Sequence, residues 1–248
     1  EKFSQVKIAQ IGQYAENVFF DKPCGLMDQT ACAVGGVITI DFKDPAHPVV
    51  GQTAIDLAKH GFVMCISDTK GSHADLTDDY AAIRREMESV AEQFGKKVLR
   101  EVDEQEFYEK IADVRKETGD RAVLRAIHYY EENARTLAQR RALLEKRFAD
   151  FAALVLESGR ASFALCQNVY CATDVRHQGL SVALALSQSI LQGSSGAWRM
   201  QGGGFAGTIQ AYVPETLLQR YHTAMERVFG PGSCYVLRLR EQGARQVL

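Results

Sequence analysis

A carboxylate placed just after a glycine-containing turn can orient or deprotonate a hydroxyl, and the run Pro23-Cys24-Gly25-Leu26-Met27-Asp28-Gln29 offers one in Asp28. Leu26, Met27 and the apolar stretch beyond them predict a partly desolvated setting for it. Read locally, the same Asp also suits the cap of a following helix, which is the commoner use of such a residue. A second run, Arg199-Met200-Gln201-Gly202-Gly203-Gly204-Phe205-Ala206-Gly207-Thr208, sets four glycines ahead of a strand. Consecutive glycines allow close backbone approach and positive φ, and their N–H groups can cradle an anion. The plain alternative is a tight turn. The run lacks the Gly-Lys-Ser/Thr of a Walker loop and does not read as a dinucleotide fingerprint, which follows a strand and opens a helix. The six histidines show no partner at metal-ligand spacing, so His73 reads as a polar loop residue, and Ser194-Ser195 as a helix stop.

Elements around these runs follow from periodicity. Apolar residues from Phe3 to Phe19 recur at helical spacing until Asp21-Lys22-Pro23, and the chain enters this pattern without an initiator Met or a preceding cap. Cys24 to Gly36 is small, apolar and irregular. Three strands are predicted at Gly36–Phe42, within His47–Asp56 and at Phe62–Ser67, in the manner of a meander. Leu76, Tyr80, Ile83, Met87, Val90 and Phe94 make one helical stripe, with Asp78 and Asp79 in its first turn. A longer stripe from Val123 to Val155 predicts a helix hairpin or one long helix. A helix over Gln178–Leu191, a strand over Thr208–Val213, a helix from Leu217 to Val228 and a strand over Cys234–Arg240 complete the order. One soft domain boundary falls near Phe42.

The chain has 248 residues, 46% hydrophobic and 24% charged, with a net charge of −2, which excludes disorder and gives no positive surplus for nucleic acid or an anionic membrane. Six scattered cysteines without a CxxC pair read as reduced thiols acting as small core hydrophobes. Without a membrane-length apolar run or signal pattern, a cytoplasmic protein is expected.

Taken together in this order, Tyr14-Ala15-Glu16-Asn17, Cys24 to Gln29 and the Arg199 to Gly207 run resemble the galactokinases of the GHMP kinase superfamily. Asp68-Thr69-Lys70-Gly71-Ser72-His73, leading to Asp79-Tyr80 and Arg84-Arg85-Glu86, adds to the resemblance, which covers Gln10 to Val213. It implies an α+β fold: the end of a GHMP kinase N-terminal domain (1–42), then a C-terminal domain (43–248) of helices packed on an antiparallel sheet. It also implies ATP-dependent phosphorylation of galactose at the C1 hydroxyl. By the same resemblance Asp28 acts as base or orienter, and Gly25 and Tyr80 contact the sugar. Glu16 belongs to a Mg²⁺ site, and the loop of Gly202, Gly203 and Gly204 packs near the nucleotide phosphates. Without the resemblance, Glu16 reads as the solvated face of a helix, and Tyr80 as a core aromatic whose hydroxyl reaches water.

Departures are visible. Gln201 and Gly203 stand where galactokinases usually have Thr and Ala, and Ala161-Ser162-Phe163 with Cys166-Gln167 replaces an expected Ser-His pair. Two motifs that precede this segment in the family, an Arg/Glu/His/Asp sugar-recognition stretch and a Ser-rich phosphate loop, have no counterpart here. The expectation is therefore a chain lacking an N-terminal segment, which would be its partner besides galactose and ATP, and which alone would be inactive. The apolar stripe of Val6, Ile11 and Val18 would then be left uncovered. A GHMP kinase for another hexose or a uronic acid, and a non-catalytic galactokinase-like sugar sensor, remain as alternatives.

Overall fold

The computed structural model describes residues 3–21, 24–53, 55–71 and 76–245. The contacts form two compact units, Glu1–Asp56 with Arg238–Leu248, and Leu57–Leu237; Phe42 lies within the first.

In the first unit α1 (Gln5–Tyr14) runs into a π-helical turn, Ala15–Phe19. It does have a cap: Ser4 Oγ accepts the Lys7 N–H at 3.1 Å. The sequence pattern hid this Ser because it sits inside the apparent stripe, just after Phe3. Of the expected stop, Asp21 takes φ +48°, and Lys22 and Pro23 lie outside the described residues. The irregular run after Cys24 becomes a second helix, α2 (Met27–Val34), in which small residues allow close packing and Thr30 Oγ1 donates to the Leu26 carbonyl at 2.7 Å. Ala9, Leu26 and Ala33 form the core of this unit, with Phe42 packed against it. Gly35 ends α2 at φ +79°, and a Cβ there would run into the backbone at Gln242-Gly243, so only glycine fits. The chain end is stitched to this corner by Gly36 N–H to Arg240 O (2.7 Å) and Ala244 N–H to Ala33 O (2.9 Å). β1 (Val37–Asp41) and β2 (Val49–Thr53) pair as an antiparallel hairpin, Val37 opposite Thr53. Phe3, Ile8, Ile11, Tyr14, Val18, Phe19 and Phe20 are exposed along the first helix and its continuation, as is Met27 on α2, whereas Val6 is half-buried.

In the second unit β3 (Phe62–Asp68) precedes α3 (Thr77–Glu92), α4 (Glu104–Glu109), α5 (Ile111–Thr118), α6 (Asp120–Leu144) and α7 (Phe148–Ala161). After a π-helical turn, Ser162–Cys166, come α8 (Gly179–Leu191), β4 (Ala197–Met200), β5 (Thr208–Pro214), α9 (Leu218–Phe229) and β6 (Cys234–Leu237). The antiparallel sheet has the order β4-β5-β3-β6. The expected meander is thus corrected: β3 joins this sheet and not the β1–β2 hairpin, because its partners come from far along the chain and local punctuation cannot announce them. The long stripe resolves into the α6–α7 hairpin, turned by Lys146 at φ +58°. The last strand stops at Leu237, earlier than its alternation suggests. Ser194 Oγ caps the end of α8 through Leu191 O at 2.6 Å, the helix stop read from sequence.

One core lies on the sheet, where Cys65, Ile209, Ala211 and Val213 meet Leu180, Leu191, Tyr221 and Met225. Another joins α3 through α6 around Phe107, Val114 and Ala126. Cys65, Cys166, Cys171 and Cys234 are buried as small hydrophobes, but Cys32 is exposed on the outer side of α2, contrary to the general reading of the thiols. Among the described residues no helix is long and apolar enough to cross a membrane.

Candidate functional site

The first unit brings Glu16, Asn17, Cys24 and Gln29 together. The α-to-π transition at Ala15–Phe19 widens the helix at Glu16. Asn17 Oδ1 accepts the Cys24 N–H at 2.8 Å, and Gln13 Nε2 donates to the Cys24 carbonyl at 3.1 Å, so the motif's first residue is held from the helix. Gln29 Nε2 donates to Glu16 Oε1 at 2.8 Å and lies 3.3 Å from Cys24 Sγ, while its own Oε1 is buried without a partner. Glu16 is therefore not a solvated helix face.

Asp28 sits in the first turn of α2, two residues too far in to cap it; the cap position is Leu26, which makes no side-chain bond. The helix dipole favours a carboxylate there. Its side chain is exposed, not desolvated as the flanking apolar residues suggested, because Leu26 turns inward while Met27 and Asp28 turn out. Beside it, Gly25 has no heavy atom within 4 Å of where a Cβ would stand, so its outer side is open.

The second unit builds the glycine-rich loop. It connects β4 to β5, so it does follow a strand, but it opens a strand and not a helix. Gln201 N–H to Thr208 O (3.0 Å) closes its base. Gly202, Gly204, Phe205 and Gly207 all have positive φ. A Cβ on Gly204 would run into the Asn168 carbonyl, and one on Gly203 would stand 2.6 Å from Tyr80 Cε1. Tyr80 OH donates to Gly204 O at 2.5 Å, so this phenol is committed to the loop and is more than a core aromatic with a solvated tip. Burial pushes its pKa up. Its ring also stands edge-on to Phe205, centroids 5.3 Å apart. Asn168 Nδ2 donates to Gly203 O (3.0 Å), and Thr69 Oγ1 to Gly207 O (2.8 Å). The carbonyls of Gly203, Gly204 and Gly207 are thus taken by the protein, whereas for the N–H groups of Gly202, Gly203 and Gly204 the described residues supply no acceptor. Ser72 and His73 lie outside the described residues.

Sequence reasoning missed the groups that brace this loop. Arg199, just before it, donates to Met200 O at 3.1 Å and pairs with Glu132 at 3.4 Å. Desolvation pushes the Glu132 carboxyl up, but the Ser158 hydroxyl, Arg199 and Arg135 outweigh it and hold it below the usual range. Arg125, 1% exposed, donates to Cys166 O at 3.0 Å and to Glu86 at 2.8 Å. An Arg in the apolar stripe of α6 was the available signal, since a buried cation needs a partner. Among the described residues no group of three His, Cys, Asp or Glu is placed to hold a metal ion. Glu16 offers a lone carboxylate, which suits Mg²⁺ carried in on substrate phosphates but not a closed protein cage. A cavity of about 830 Å³ between α7, α8 and β4 is lined by none of the candidate residues.

No protein-family model matches the chain. It is 32% identical over 215 residues to a galactokinase of Actinobacillus pleuropneumoniae serotype 3 (strain JL03), covering 86% of this chain and 52% of that one. It is also 32% identical over 217 residues to a galactokinase of Mannheimia succiniciproducens, covering 85% and 52%. The chain spans about half the length of the curated relatives it matches. Among solved structures, Lactococcus lactis galactokinase complexed with galactose superposes at a TM-score of 0.73 with 21% identity, over 98% of this chain and 61% of that one. Leishmania major mevalonate kinase in complex with R-mevalonate gives 0.55 and 10%, over 99% and 60%.

Proposed function

Since the chain is homologous to the galactokinases and carries the GHMP kinase fold, we propose that it is part of a sugar kinase moving the γ-phosphoryl of ATP to the C1 hydroxyl of galactose. The observation that carries the reading is the glycine-rich loop, in which the carbonyls of Gly203, Gly204 and Gly207 bind protein groups while, among the described residues, the N–H groups of Gly202, Gly203 and Gly204 have no acceptor. Successive N–H groups in a turn that takes positive φ, here at Gly202 and Gly204, form a concavity that suits phosphate oxygens. Phosphoryl transfer depends mainly on positioning and charge neutralisation, and such a loop supplies both without a covalent step.

In this reading the Asp28 carboxylate orients the sugar hydroxyl and takes its proton as the hydroxyl oxygen bonds to the γ-phosphorus and the bond from that phosphorus to the leaving ADP oxygen breaks. Its exposed place on the first turn of α2 leaves it open to a hydroxyl. Gly25 presents bare backbone to the sugar ring. Tyr80, whose hydroxyl donates a hydrogen bond to Gly204 O, would contact the sugar from the loop side. Glu16 would contribute one oxygen to Mg²⁺, which when bound with ATP neutralises phosphate charge; Gln29 holds that carboxylate in place. The chain spans about half the length of the relatives it matches, so the activity is proposed for the whole protein and not for these residues alone.

The test is ATP turnover by the full-length protein with galactose, other hexoses and uronic acids, the product identified by phosphorus NMR. Galactose 1-phosphate is expected. Preferred turnover of another sugar would move the assignment within the GHMP kinases, and sugar binding without turnover would make the protein a sensor.

A further inference from the structure

A guanidinium fully removed from water is expensive to keep, and Arg125 is the largest fully buried side chain of the described residues. Desolvation lowers its pKa, so the groups around it must hold the charge in place. Its Nη1 lies 2.8 Å from Glu86 on α3, which is shared with Arg121. Its Nε donates to the carbonyl of Cys166, the last residue of the π-helical turn, at 3.0 Å. One planar group therefore fixes the spacing between α3 and the segment 166–168.

Both of those elements grip the glycine-rich loop. From α3, Tyr80 OH donates to Gly204 O. From the other side, Asn168 Nδ2 donates to Gly203 O, and the Asn168 carbonyl accepts the Phe205 N–H at 2.5 Å. Gln167, between Cys166 and Asn168, is in the left-handed region at φ +54°, which turns the chain so that both the side chain and the carbonyl of Asn168 meet the loop. The grips fall on the carbonyls of adjacent glycines, so their separation sets the path of the backbone whose N–H groups find no acceptor among the described residues.

We infer that Asn168 is a positioning residue for the glycine-rich loop and that Arg125 is its anchor, the pair acting on the phosphate side of the site. The kinetic part of this inference rests on the kinase reading above. Tyr80 stands on a separate 16-residue helix, so loosening Asn168 leaves the sugar side in place. An ammonium cannot replace the Arg fork, because one Nζ cannot reach the Cys166 carbonyl and Glu86 in the same planar geometry.

The test has two arms. In the chain itself, amide hydrogen exchange is followed by NMR for Asn168→Ala and Arg125→Lys. The Phe205 amide should exchange roughly tenfold faster in both, the effect of losing about one buried hydrogen bond, with Cys65 and Ile209 in the sheet unchanged. In the full-length protein, Asn168→Ala should lower kcat and raise the ATP KM, roughly tenfold in kcat/KM, with the galactose KM within about twofold. An unchanged Phe205 amide in Asn168→Ala overturns the inference, and this variant decides the matter even where Arg125→Lys fails to fold. Equal acceleration throughout the sheet, or a rise in the galactose KM alone, overturns it as well. Absence of kinase activity in the unsubstituted full-length protein would refute the functional reading, while the exchange arm still decides whether these residues hold the loop.

Discussion

Asp28 and Glu16 are both carboxylates of the first unit, yet their surroundings ask different things of them. Asp28 is exposed at the start of α2, with no capping bond to make, so its cost in the fold is small and a neutral isostere should be tolerated. In the full-length protein Asp28→Asn is expected to keep the fold and sugar binding while lowering turnover at least ~10²-fold, the lower range for a positioned proton-transfer group. Near-normal turnover would leave Asp28 as a dipole-friendly surface residue. Glu16 is clasped by Gln29, and an amide oxygen at this place could still accept that bond. Glu16→Gln should therefore fold normally and raise the Mg²⁺ concentration needed for half-maximal rate without moving the galactose KM, because a hard cation favours carboxylate oxygen. A Mg²⁺ titration that overlays the original would assign Glu16 only to holding Gln29.

At the scale of elements, α7 lies directly on β4 at Gly159, where an added Cβ would come within 3.1 Å of Arg199 Cβ and 3.2 Å of the Trp198 carbonyl. Gly159→Val should push the helix off the strand that leads into the glycine-rich loop, at a cost of about 1–3 kcal/mol typical of overpacking. Urea unfolding followed by Trp198, the chain's one tryptophan, reads this directly; an unshifted midpoint would show that the contact is slack. Helices with long apolar stripes, α3, α6 and α7, were legible in the sequence because 3.6-residue spacing survives any tertiary context. Short β4 and α2 were not. Four residues with an Arg and a Trp carry no clear alternation, and α2 is made of small residues that pack without a broad apolar face. The candidate residues were legible as motifs, but their braces were not: Asn168 and Glu132 reach the loop over separations of 35 and 67 positions, across which no local pattern extends.

For the whole molecule, stability should depend on pH through His128. Its Nδ1 is buried without a partner, and desolvation holds its pKa below the ordinary 6.5. A group with a depressed folded pKa stabilises fully above its unfolded value, and that contribution is lost as pH falls, because the unfolded chain takes up the proton first. Tm should decline as pH drops from 6.5 towards the folded value, and His128→Asn should flatten that part of the curve; an identical slope would place the sensitivity elsewhere. The row of exposed apolar side chains from Phe3 to Phe20 acts on the same scale. Its attraction for other apolar surface is driven near room temperature by the entropy of water, and weakens on cooling. The chain should then behave as a temperature-responsive colloid, dispersed near the freezing point and clustering reversibly on mild warming well below its unfolding temperature, with light scattering rising while circular dichroism stays flat.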